Sequence, residues 1–137
     1  TTFCNTVKLL NDIPAAERDA WSNIRVTYST EKVVHYGGSF TSPLIDRHPV
    51  TGRPFLNCNE AFVTHINGLT TNEANSLKTW LANHMNRPEL QVRWRWQAGD
   101  LAMWDNRVTM HYAVADYLPT YRCMNRVTVV HDRRVPN

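Results

Sequence analysis

Two stretches near the end of the chain constrain it most. The first is Trp104-Asp105-Asn106-Arg107-Val108-Thr109-Met110-His111-Tyr112-Ala113, which places a histidine inside an expected strand. The second is Tyr121-Arg122-Cys123-Met124-Asn125-Arg126-Val127-Thr128. Side chains alternate across a strand with period two, so Arg122, Met124, Arg126 and Thr128 are expected on one face. Two guanidinium groups side by side repel unless water or an anion lies between them. On an inward face they make a site for a carboxylate or a related anion. An imidazole from the preceding strand would then stand beside fixed positive charge, which points to a metal site holding an anionic ligand. The plainer reading remains open at this stage. A lone strand histidine is commonly a hydrogen-bonded core or surface residue, and paired arginines are common on solvated sheet faces.

The rest of the chain sets bounds. At 137 residues it is at most one domain, with enough length for a hydrophobic core. A formal charge of +3 is mild, and the basic residues are scattered, which gives no support to nucleic-acid binding. No apolar run is long enough for a membrane span, and no signal peptide is visible. Cys4, Cys58 and Cys123 are odd in number and lack metal-ligand spacing. They read as buried or partly buried thiols in a reducing cytoplasm. The chain begins with Thr1 rather than Met, so its natural beginning is expected to lie upstream.

Taken in order, Phe3, Val7 and Leu10 recur at helical spacing and predict a helix over 1–10. Ile13 to Trp21 predicts a second helix, with Asp12 as its cap and Pro14 in its first turn. Ile24 to Tyr28 alternates like a strand. The segment 29–42, with Gly37-Gly38, reads as a lid-like loop in which His35 and Tyr36 could line a pocket. Pro43 to Asn59 predicts a hairpin turning at Pro49-Val50-Thr51-Gly52, with a structural role for His48. Thr70 and Glu73 form a capping box that starts a helix, and Leu69 with Ala74 would staple it. Leu77, Trp80, Leu81 and His84 give that helix its buried face until Arg87-Pro88 ends it.

Val92, Trp94 and Trp96 alternate with Gln91, Arg93 and Arg95. Arginine between tryptophans is one pattern for stacking nucleic-acid bases, but a half-buried strand accounts for it better. Leu101 to Trp104 predicts a further apolar strand, broken at Asp105-Asn106. The ending His131-Asp132-Arg133-Arg134 reads as a solvated tail.

The run Gly99-Asp100-Leu101-Ala102-Met103-Trp104-Asp105-Asn106-Arg107-Val108-Thr109-Met110-His111-Tyr112-Ala113, then Asp116-Tyr117, Arg122 and Arg126, resembles the C-terminal signature of the taurine dioxygenase (TauD/TfdA) family. His48-Pro49-Val50-Thr51-Gly52-Arg53 extends the resemblance upstream. The resemblance implies a mainly β fold with flanking helices, a double-stranded β-helix or jelly roll, incomplete in this chain. It implies a dioxygenase that uses Fe(II), 2-oxoglutarate and molecular oxygen. The substrate would be a small organic anion such as a sulfonate, sulfate ester or carboxylate. That substrate would be hydroxylated or oxidatively cleaved while 2-oxoglutarate is decarboxylated to succinate.

The resemblance also implies site residues. His111 becomes the distal histidine ligand of the metal. Arg122 becomes the partner of the distal carboxylate of 2-oxoglutarate, with Thr1 at the place of the family's 2-oxoglutarate-binding threonine. Arg126 would lie near the substrate's anionic group, and Phe62 would line the substrate pocket. One departure matters. The family's other two ligands form a His-x-Asp or His-x-Glu motif, and none of the six histidines here has an acidic residue two places later. Residues 1–137 are therefore expected to be the C-terminal portion of one such domain, inactive on their own and weak in binding iron. A non-catalytic jelly-roll module that has lost the metal site is the alternative. A homo-oligomer is left open.

Overall fold

The computed structural model describes residues 1–29 and 39–129. The expectations for His35, Tyr36 and Gly37-Gly38, and for the tail from His131, lie outside the described residues. The described residues form eight strands and three helices. In order these are β1 (Thr2–Asn5), α1 (Thr6–Asn11), α2 (Ala15–Ala20), β2 (Arg25–Tyr28), β3 (Phe40–Pro43), β4 (Ile45–Arg47), β5 (Pro54–Leu56), β6 (Val63–Asn67), α3 (Thr71–Met85), β7 (Gln91–Arg93) and β8 (Thr109–Tyr112). A 3₁₀ turn, Pro88–Leu90, sits before β7. The strands make three antiparallel sheets, ordered β7-β1-β8, β3-β2-β6 and β4-β5.

The first ten residues differ from the expected helix. They divide into β1 and α1 at Asn5, whose side-chain oxygen accepts the Lys8 amide at 2.9 Å and caps α1. β1 is hydrogen-bonded on both sides, to β7 and β8, and these long-range ladders override the helical spacing of Phe3, Val7 and Leu10. α2 is shorter than predicted. Asp12 ends α1 instead of capping α2, and its carboxylate pairs with Arg87 at 3.1 Å. Ile13 is buried and Trp21 packs against the core, as predicted.

Local signals elsewhere read true. The β4–β5 hairpin turns at Gly52, whose φ of +68° suits glycine. Thr70 and Glu73 form both hydrogen bonds of the capping box, and Leu69 and Ala74 pack on the core. The core lies between α1, the hairpin, β2, β6 and α3. Leu9, Leu10, Val26, Leu44, Leu56, Cys58, Ile66 and Leu81 are its fully buried members. Each buried leucine contributes about 1.5–3 kcal/mol of apolar transfer free energy. His84 is a packing residue, stacked on Trp80 with ring centroids 3.5 Å apart. No helix among the described residues is long and apolar enough to cross a membrane.

The last third departs most from the sequence pattern. β8 forms, but neither Leu101–Trp104 nor Tyr121–Thr128 is a regular strand. The half-buried strand expected over 91–96 is regular only to Arg93. Val92, Leu101, Met103, Val127 and Val129 are exposed. Alternation creates an apolar face, but a strand also needs a ladder partner, and Leu101–Trp104 and Tyr121–Thr128 find none among the described residues. Of the cysteines, Cys4 and Cys58 are buried, whereas Cys123 is exposed rather than partly buried.

Candidate active site

The site is built on β1. Phe3 pairs with Val92 on one side and with His111 on the other, so all three side chains share a face of the sheet. Thr1 lies two residues from Phe3 and so projects to the same face. The ladder continues past β7, where Thr1 and Trp94 exchange backbone hydrogen bonds of 3.0 and 2.8 Å. Trp104 closes over the pair, 5.0 Å from the Phe3 ring and 5.2 Å from the His111 imidazole between centroids. Phe3, Val92, Trp94, Leu101, Met103 and Trp104 line an open apolar hollow of about 330 Å³ beside it.

Thr1 and Arg122 meet although 121 positions separate them. The Thr1 hydroxyl oxygen accepts the Trp96 indole N–H at 2.8 Å and an Arg122 guanidinium N–H at 3.4 Å. Both donors occupy the oxygen's lone pairs, which leaves the hydroxyl proton to be donated elsewhere. The Arg122 guanidinium also lies over the Tyr117 ring, 5.2 Å from its centroid. Arg93, on β7, pairs with Asp116 in the same segment as Tyr117. The backbone carrying Arg122 is not the expected strand, yet the side chain reaches the face that carries His111.

His111 keeps contact with solvent, but its packing among aromatic rings removes enough hydration to lower its pKa. The positive charge of Arg126 lowers it further. Both effects favour the neutral imidazole, the form that ligates a metal. Arg126 is thus an electrostatic neighbour of His111. Phe62 is not tied to this group. It is partly exposed in the turn before β6 of the second sheet, and no ring contact among the described residues joins it to Phe3, Trp104 or His111.

A second polar group was not foreseen as a unit. His48, 7% exposed, donates from Nε2 to Asp105 at 2.8 Å. Its Nδ1 accepts the Val50 and Thr51 amides at 3.3 and 3.1 Å, which fixes this tautomer. Asp105 also accepts two guanidinium N–H groups and the backbone amide of Arg107. The Arg107 hydrogen bonds, then the one from His48, hold its carboxyl well below the usual range. The structural role expected of His48 is borne out. Asp105, read only as a strand breaker, is its partner. A buried histidine beside a turn rich in amides was the available signal.

The donor set is incomplete for a metal. No group of three His, Cys, Asp or Glu side chains that could hold an ion occurs among the described residues. A facial triad needs three protein ligands, and this face offers one, His111. The residues present do not by themselves fit an iron centre.

The β7-β1-β8 sheet thus carries the His111 imidazole and the Thr1 hydroxyl on one face, with the Arg122 guanidinium bonded to that hydroxyl and the charge of Arg126 acting on the imidazole. The chain belongs to the family described as "Taurine catabolism dioxygenase TauD, TfdA family", whose model matches residues 1–128. It is 33% identical to an alpha-ketoglutarate-dependent sulfate ester dioxygenase from Pseudomonas putida, over 94% of this chain and 49% of that protein. It is 31% identical to an alkylsulfatase from Acinetobacter baylyi, over 94% of this chain and 47% of that protein. Its structure resembles a taurine dioxygenase from Burkholderia xenovorans with a TM-score of 0.71 and 30% identity, covering 79% of this chain and 38% of that one. The chain spans about half the length of the curated relatives it matches.

Proposed function

We propose that this chain carries the co-substrate and anion-binding side of an Fe(II)- and 2-oxoglutarate-dependent dioxygenase with a jelly-roll fold. The meeting of Thr1 and Arg122 at the face of the β7-β1-β8 sheet that carries His111, with Arg126 an electrostatic neighbour of the imidazole, is the observation that supports this reading. In it, His111 is one metal ligand, and two further ligands come from outside these residues. The iron would supply oxygen activation. The chain's own groups bind and orient.

The Arg122 guanidinium takes the distal carboxylate of 2-oxoglutarate, and the Thr1 hydroxyl donates its remaining proton to the same anion. Tyr117 keeps the guanidinium plane in place. Arg126 takes the anionic group of the substrate. The named activities of the relatives, on sulfate esters and on 2,4-dichlorophenoxyacetate, support a small organic anion. Phe62 stays assigned to the substrate pocket only as an expectation from the resemblance. The alternative, a binding module without metal chemistry, draws on the incomplete ligand set among the described residues.

The test is succinate formation by the full-length protein with Fe(II), 2-oxoglutarate and candidate anions. Arg126→Gln should impair substrate oxidation more than uncoupled 2-oxoglutarate turnover. Equal loss of both would count against the assignment. Absence of any 2-oxoglutarate turnover with every anion would favour the binding module.

A further inference from the structure

The residues leading into His111 are held from two sides. On one side, the buried Thr6 donates both its amide (3.1 Å) and its hydroxyl (2.9 Å) to the Val108 carbonyl, directly before β8. On the other, Asp105 is bonded to His48, which projects from the hairpin turn between β4 and β5. Arg107 straps Asp105 within the same short segment. Asp105–Val108 is therefore fixed to α1 and to the hairpin before the chain enters β8.

His48 has one job at each nitrogen. Nδ1 receives two turn amides, and Nε2 reaches across to Asp105. An imidazole with both nitrogens engaged cannot rotate without losing one partner, and a buried group left unpaired carries a desolvation cost. The ring thus transmits the position of a rigid hairpin to the segment that aims His111.

We propose that His48 is a positioning residue for His111, acting through Asp105. The clip itself stands on the geometry alone.

The two nitrogens can be separated by substitution. In His48→Asn the amide oxygen replaces Nδ1 as acceptor for the turn amides, but the side chain is too short to reach Asp105. In His48→Gln the amide nitrogen replaces Nε2 as donor to Asp105. Hydrogen exchange of the full-length protein is the readout. His48→Asn should speed exchange of amides in 107–112 at least ~10-fold, the scale of one hydrogen bond to a charged group. The amides of Val26 and Ile66 in the second sheet should stay protected. His48→Gln should restore most of the protection. Uniform acceleration across both sheets, no change in 107–112, or failure of Gln to restore protection would each overturn the clip.

Discussion

Alkaline pH should unfold this protein through three buried acids, two of them on the central strands of the larger sheets. Cys4 lies on β1, Tyr28 on β2, and Cys58 beside Tyr28 in the core. Burial pushes each thiol from 9.0 up to about 11, and the Tyr28 phenol from 10.0 up to about 12. All three are less than 10% exposed, so solvent screening does little to reduce the effect. In the unfolded chain these groups lose their protons at ordinary pH, while the folded chain still holds them. Stability is therefore insensitive to them below pH 9 and falls as pH rises through the folded values. Each group forfeits on the order of 3 kcal/mol, so the three together take a large part of the folding free energy of an ordinary domain. Charge on Cys58 also opposes ionisation of Tyr28. The assay is urea unfolding followed by far-ultraviolet circular dichroism at pH 8 to 11, with Tyr ionisation read by absorbance. Cys58→Ala should flatten the slope of unfolding free energy against pH by ~1.4 kcal/mol per pH unit between 9 and 11. The slope, unlike the midpoint, is not confused by the small cavity the substitution leaves. A variant slope equal to that of the unsubstituted protein would refute the reasoning, because Cys58 would then ionise as freely folded as unfolded.

Two further substitutions test the frame that holds the site. Leu81→Ala, at a fully buried position on α3, should destabilise by about 2–5 kcal/mol, read as a lower urea midpoint with an unchanged m-value. Thr70→Ala removes the hydroxyl that accepts the Glu73 amide and should cost about 1 kcal/mol, whereas Thr70→Ser should cost almost nothing in the same thermal melt.

What was legible in the sequence was local. The Thr70–Glu73 box, the Gly52 turn and the alternation in Arg25–Tyr28 each depend on residues a few positions apart, and each formed as read. The β1–α1 boundary was illegible because two ladders from Val92 and His111, some ninety or more positions away, outweigh a helical spacing. Leu101–Trp104 and Tyr121–Thr128 were over-read for the converse reason. Their pattern is that of a strand, but a pattern carries no information about the partner that must supply the hydrogen bonds. The roles of His111, Arg122, Arg126 and Thr1 came from the family resemblance and not from spacing. Nothing in the local sequence brings Thr1 to Arg122.

What brings them together is register. β1 pairs with β7 and β8 so that Phe3 faces Val92 and His111, and Thr1 follows on the same side. A slip of one residue would turn Thr1 and Phe3 to the opposite face and put Thr2 and Cys4 in their place. The hydroxyl would then be lost to Trp96 and Arg122, and a thiol that belongs in the core would stand beside the imidazole. Asn5 resists that slip by capping α1, and Thr6 resists it by holding the Val108 carbonyl from α1's first turn. The same few residues thus end the strand, start the helix and set which side chains meet His111. The candidate site depends on that junction as much as on the groups that would touch a ligand.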